Sequence, residues 1–109
     1  MAINEYGERL DANGYAPTLL GDGECLICGR RGDLARHEAF GGSRRQLSKA
    51  LGLWTTLCPK CHELCHSNPK AAGLYVKVRA QAAAMEEYSW TEDVFICRFG
   101  KSYKEENSL

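Results

Sequence analysis

Ten residues, Leu57-Cys58-Pro59-Lys60-Cys61-His62-Glu63-Leu64-Cys65-His66, hold more potential metal ligands than any other stretch of the chain. The two residues between Cys58 and Cys61 let the backbone turn so that both sulfurs face one tetrahedral ion. Cys25-Leu26-Ile27-Cys28 repeats that spacing upstream. Two such pairs in a short chain read as one structural zinc site made by Cys25, Cys28, Cys58 and Cys61. An ion held by four thiolates has no position left for imidazole, so the two histidines need a separate account. A helix running from about Pro59 sets Cys61 and His62 about 100° apart. His62 and His66, at i and i+4, then share a face and can reach a common ion. The spacing predicts two sites, thiolates in one and imidazoles in the other; a solvated histidine pair is the plain alternative.

The same letters also spell His62-Glu63-x-x-His66, the helix motif of zinc peptidases in which Glu63 would be general base. That motif requires a long helix lining a cleft and a third ligand downstream. Here it is fused to a Cys-x-x-Cys knuckle, and the one other histidine, His37, lies upstream.

A chain of 109 residues makes one small domain, in which a structural metal matters to the fold. Its formal net charge is zero, so any contact with nucleic acid must be local rather than the work of a global field. No basic segment leading into an apolar run opens the sequence, and no stretch approaches the length of a membrane span. The expectation is a cytoplasmic protein without membrane contact. In that setting four of the six cysteines read as metal ligands rather than a disulfide framework, with Cys65 and Cys97 left as free, partly buried thiols.

The elements that must position these groups follow from periodicity and turn residues. Ile3, Tyr6 and Leu10 predict an amphipathic helix over 3–13, stopped by Asn13-Gly14. Gly21-Asp22-Gly23 turns into the first knuckle, and Gly29 suits the tight turn behind Cys28. Leu34 to Phe40 reads as a strand ended by Gly41-Gly42, with His37 and Glu38 on opposite faces unless the strand is distorted. Ser43 and Gln46 have capping-box spacing for a helix to Leu51 that displays Arg44, Arg45 and Lys49 as a basic patch. Leu53 to Leu57 reads as a second strand. Asn68 and Pro69 would open a helix whose stripe is Leu74, Val78, Ala82 and Met85. Ser89 and Glu92 form a further capping pair before Val94-Phe95-Ile96-Cys97, which could be strand or helix, and the tail from Lys104 reads as frayed.

Knuckle, histidine-bearing strand, helix, strand, knuckle and helix together resemble the HNH endonuclease family, and in particular its small phage and prophage members. The resemblance spans roughly Cys25 to His66. It rests on Arg36-His37-Glu38-Ala39-Phe40-Gly41-Gly42, Arg45, Gly52-Leu53 and Leu57-Cys58-Pro59-Lys60-Cys61-His62, with the tail Phe99-Gly100-Lys101-Ser102-Tyr103 similar to the ending of those proteins. It implies an α+β fold with a zinc-stabilised ββα-metal core over about 24–68, flanked by the N-terminal helix and by a C-terminal helix and tail over 69–109. It further implies structural zinc on the four cysteines and a catalytic divalent metal (Mg, Mn, Ni or Zn) on His62 and His66. In the family two adjacent strand residues serve as ligand and as histidine base. Here Glu38 follows His37, so two registers stand open: His37 as third ligand with Glu38 as base, or His37 as base with Glu38 completing the coordination. The family's middle asparagine has no counterpart between Gly52 and Cys58.

The implied chemistry is metal-assisted hydrolysis of DNA phosphodiester bonds, with Arg44, Arg45 and Lys49 on backbone phosphates. Glu38, the absent asparagine and the zero net charge motivate a competing reading, a catalytically silent zinc module that binds DNA or protein.

Overall fold

The computed structural model describes residues 2–104, and the tail expected to fray lies largely outside them, at 105–109. Two short strands, β1 (Ala35–Glu38) and β2 (Trp54–Leu57), pair antiparallel with His37 opposite Thr55 and Glu38 opposite Trp54. A two-stranded ribbon of this length is marginal by itself. Its support comes from helices on either side in sequence: a 3₁₀ turn (Gly42–Arg44) leading into α1 (Arg45–Ala50), then α2 (Pro59–Ser67), α3 (Ala72–Glu87) and α4 (Glu92–Phe99). The architecture is a small α+β fold in which the 3₁₀ turn and α1 lie between the two strands and α2, α3 and α4 follow them.

Ser48 of α1 shows how the hairpin is held. Fully buried, its hydroxyl donates to the Leu53 carbonyl at 2.6 Å and accepts from the Phe40 N–H at 3.3 Å, joining α1 to both strand ends. The core beneath is built from Leu51, Leu53, Leu57, Phe40, Val76 and Phe95, with three of the four knuckle cysteines buried against it. Phe40, just past β1, also receives the C-terminal tail: its ring lies 4.6 Å from Phe99 and 5.3 Å from Tyr103, centre to centre. Buried Gln81 fixes that tail by accepting from the Tyr103 N–H at 2.7 Å and donating to Ser102 Oγ at 2.9 Å.

Residues 3–13 are not a helix. Asn4 Oδ1 accepts from the N–H groups of Tyr6 and Glu8, and its amide donates to the Ala50 carbonyl, so a side chain has captured donors a helix would need. A bridge between Ile3 and Arg9 closes the loop, leaving Ile3 exposed. Beyond it, Ala16 to Gly21 runs over α1 and β2, with the Trp54 indole donating to the Ala16 carbonyl and Thr55 Oγ1 to that of Gly21. Gly52 sits beneath this crossing at φ +77°, where an added Cβ would stand 2.4 Å from the Pro17 carbonyl oxygen. Both the left-handed backbone and the clash oppose a side chain. Gly52→Ala should therefore cost about 2 kcal/mol or more, read as a lowered denaturation midpoint; an unchanged midpoint would show that the crossing is not tight.

Four other expectations shift. Ser43 makes no capping bond, and Arg44 takes the N-terminal boundary of α1 after the 3₁₀ turn. The Asn68 carbonyl accepts from Ala71 and Gly73, so Pro69 lies in a turn and α3 starts at Ala72. That helix buries Gly73, Val76, Ala80 and Ala84 in place of the stripe Leu74, Val78, Ala82 and Met85, because the small residues allow the closer approach to its neighbours. The segment left open between strand and helix is α4, capped by Thr91 rather than Ser89.

Candidate metal centres

The first knuckle hangs on the outer side of β2. The Leu26 N–H donates to the Thr56 carbonyl at 3.1 Å, and Thr56 Oγ1 donates to that of Glu24 at 2.9 Å. Gly29 closes the knuckle at φ +80° with its N–H on the Cys25 carbonyl. The second knuckle is the start of α2, where Cys58 is the N-cap and accepts from the Cys61 N–H, and Pro59 occupies the first turn. The two meet: Cys25, Cys28, Cys58 and Cys61 present sulfurs all within 4.8 Å of one another. Cys28 Sγ and Cys58 Sγ are 3.7 Å apart. The edge of a tetrahedron with Zn–S bonds of about 2.3 Å is about 3.8 Å.

Ionisation of Cys25, Cys58 and Cys61 fits the same conclusion. Burial disfavours the Cys25 thiolate, but backbone N–H groups, led by that of Cys28, outweigh it and bring the thiol down to about 6. The Cys61 N–H likewise holds Cys58 low. Cys61 itself is pushed up to about 12 by burial and by the three thiols beside it. Backbone dipoles at the helix N-terminus can favour some of the thiolates but not four; a divalent cation would supply the missing charge. The donor set could hold a structural metal such as zinc.

On the other side of α2, His62 and His66 meet His37 of β1. The ring centres lie 5.1 Å apart for His37 and His62, 5.9 Å for His37 and His66, and 5.0 Å for His62 and His66. One nitrogen from each lies within 4.8 Å of the other two. Cys61 and His62, adjacent in sequence, thus belong to different clusters, as the helical rotation requires. The triad faces a cavity of about 440 Å³ whose wall includes Glu38, Arg45, Cys65 and Lys77.

Burial first, then the charges of His62 and His66, push His37 down to about 4, and burial lowers His62 as well. A folded-state value below the ordinary one means that the folded chain binds its proton less readily than the unfolded chain. The stability from neutral His37 is complete above about pH 6.5 and is lost as the pH falls toward 4. For ligation the consequence is that His37 has no proton to shed at pH 5.5. Binding of Co²⁺ or Ni²⁺ to the triad at that pH should release at most two protons per ion, measured in weakly buffered solution; release of three would contradict the burial of His37.

Glu38 lines the cavity without joining the histidine cluster. Its Oε1 forms an ion pair with Arg45, 3.2 Å from Nε, and its Oε2 accepts from the Tyr15 hydroxyl. Burial and the Glu38 carboxylate push Tyr15 up to about 12, so it remains a donor at neutral pH. The basic residues picked from sequence separate: Arg45 enters the cavity, Arg44 reaches toward Gly100, and Lys49 rests 4.7 Å from the centre of the Tyr15 ring. Glu63 is exposed and away from the cavity wall, which leaves the peptidase motif without its base. Cys65 is buried and its thiol pushed up by that burial, whereas Cys97 is exposed on α4. Tyr15 and Lys77 escaped the sequence reading because neither lies at a motif spacing from the ligands.

No helix among the described residues is long and apolar enough to cross a membrane. The chain matches no protein-family model, and comparison with curated proteins and with solved structures finds no match to it.

Proposed function

We propose that the protein is a metal-dependent endonuclease of the HNH kind, hydrolysing DNA phosphodiester bonds as small phage and prophage members of that family do. The observation that carries this reading is the division of potential ligands into two sets on opposite sides of α2, four thiols of which three are buried in the core and three imidazoles opening on a cavity. A closed set of four ligands is structural, whereas three ligands leave a coordination position for substrate or water.

His37, His62 and His66 would hold the catalytic ion, and three neutral nitrogens favour nickel, zinc or manganese over magnesium. When bound, such an ion stabilises negative charge on a non-bridging phosphate oxygen and on the leaving 3′ oxygen. Glu38 stands beside the triad and takes the proton of the attacking water as the new phosphorus–oxygen bond forms and the bond to the 3′ oxygen breaks. Arg45 and Tyr15 orient that carboxylate, and Arg45 is placed to meet a phosphate as well. The grouping of His37 with the other two histidines, without Glu38, favours the register in which His37 is the ligand and Glu38 the base.

A silent zinc module that binds DNA is the second reading, favoured by the engagement of both Glu38 oxygens. Nicking of supercoiled plasmid decides between them, with the zinc-loaded protein supplied with nickel, manganese, zinc or magnesium in turn. Nicking that depends on the added ion, least with magnesium, supports the nuclease; a folded protein inert with every ion supports the module.

A further inference from the structure

We infer that a second cleft, next to the triad cavity, carries the DNA backbone away from the cutting site in the grip of Lys70, Lys77 and Lys101. The inference rests on the nuclease reading for the identity of the polymer. The cleft has a volume of about 460 Å³ and is walled by Pro69, Lys70, Leu74, Lys77, Lys101 and Tyr103. Pro69 and Lys77 also line the triad cavity, so the two depressions share a rim.

Charge sets this cleft apart. Arg30, Arg31, Arg36, Arg45, Arg98 and Lys104 each pair with a carboxylate. Lys70, Lys77 and Lys101 pair with none among the described residues; Arg9, Arg44, Lys49, Lys60 and Arg79 pair with none there either, but these three lysines share one cleft that no acidic side chain lines. They arrive from separate segments: the turn before α3, the second turn of α3, and the tail after α4. In a chain with no net charge, three ammonium groups that converge without a counter-charge repel one another, and an anion with repeated charges relieves that repulsion.

Tyr103 provides the floor. Lys77 Nζ and Lys101 Nζ lie 5.4 Å and 5.1 Å from the centre of its ring, which limits their freedom through cation–π attraction. Gln81 fixes its backbone N–H, and its ring packs on Phe40. A small anion could satisfy the cleft alone. Lys77, unpaired and lining both depressions, instead carries the positive charge of the cleft to the edge of the triad cavity, which matches a strand whose phosphates lie on both sides of the cleaved bond.

The test is binding of a fluorescent DNA duplex by zinc-loaded His66→Ala protein, which leaves the DNA intact, at a series of salt concentrations. Adding Lys70→Ala, Lys77→Ala and Lys101→Ala should weaken binding about tenfold or more and lower the slope of log affinity against log salt by about 2 to 3. Arg79→Ala removes a charge from the same helix outside the cleft, where the guanidinium bonds to Tyr75, and should leave the slope unchanged. If the triple substitution changes neither affinity nor slope, the cleft is not the DNA track, and plasmid nicking by the unsubstituted protein then shows whether the nuclease reading survives it. If lysine-dependent binding is present but nicking is not, the nuclease falls and the cleft stands. A protein that binds no DNA overturns both.

Discussion

Removing zinc with a strong chelator should unfold the protein. Far-UV circular dichroism should lose most of its helical signal, and the signal should return when zinc is restored. The expected effect is large because the four thiols are the join between the first knuckle, β2 and α2, with Cys25, Cys58 and Cys61 buried in the core. Without the ion, several thiolates would have to stay protonated against their neighbours or repel one another. A structural zinc supplies about 10–16 kcal/mol in small zinc peptides, whereas a domain of this size is stable by about 5–15 kcal/mol altogether. Cys61→Ser should reproduce the loss and lower the zinc-to-protein ratio. A chelated protein that keeps its helical signal and its cooperative melt would show that the thiol cluster is not a structural metal site.

The second large effect concerns cleavage. Glu38→Gln keeps the shape and one acceptor oxygen for Arg45 or Tyr15, but it cannot take a proton. Loss of a general base costs about 10²–10⁴ in rate, with DNA affinity unaltered. His66→Ala should abolish nicking by about a hundredfold or more while leaving the melting temperature nearly unchanged, because His66 is exposed on the last turn of α2. His37→Gln separates the two registers: loss of the second metal along with activity makes His37 a ligand, and retention of metal with loss of activity makes it the base. Equal nicking by all four proteins would trace the activity to a contaminant.

Local spacing made much of this legible. Cys-x-x-Cys and the i, i+4 histidines are set by a few consecutive backbone torsions, so their division into two clusters could be read from the rotation of one helix. The two strands and their flanking glycines were legible for the same reason. Residues 3–13 were not, because an apolar spacing cannot report that the Asn4 side chain will take the N–H groups of Tyr6 and Glu8 and bond to Ala50 across the fold. The buried face of α3 was hidden differently: Val, Ala and Gly fall on several faces of that helix, and hydrophobicity does not say which face a close neighbour will choose.

The sequence by itself therefore determined the ligand types, their grouping by spacing and the hairpin that carries His37. Only the tertiary structure decided what that hairpin meets. Folding β1 onto α2 brings His37 to His62 and His66, ties Glu38 to Tyr15 and Arg45 from two other segments, and sets Lys77 of α3 on the rim of the same cavity. These contacts join residues with no fixed separation along the chain, and their geometry comes from the packing of whole elements rather than from the torsions of any one stretch.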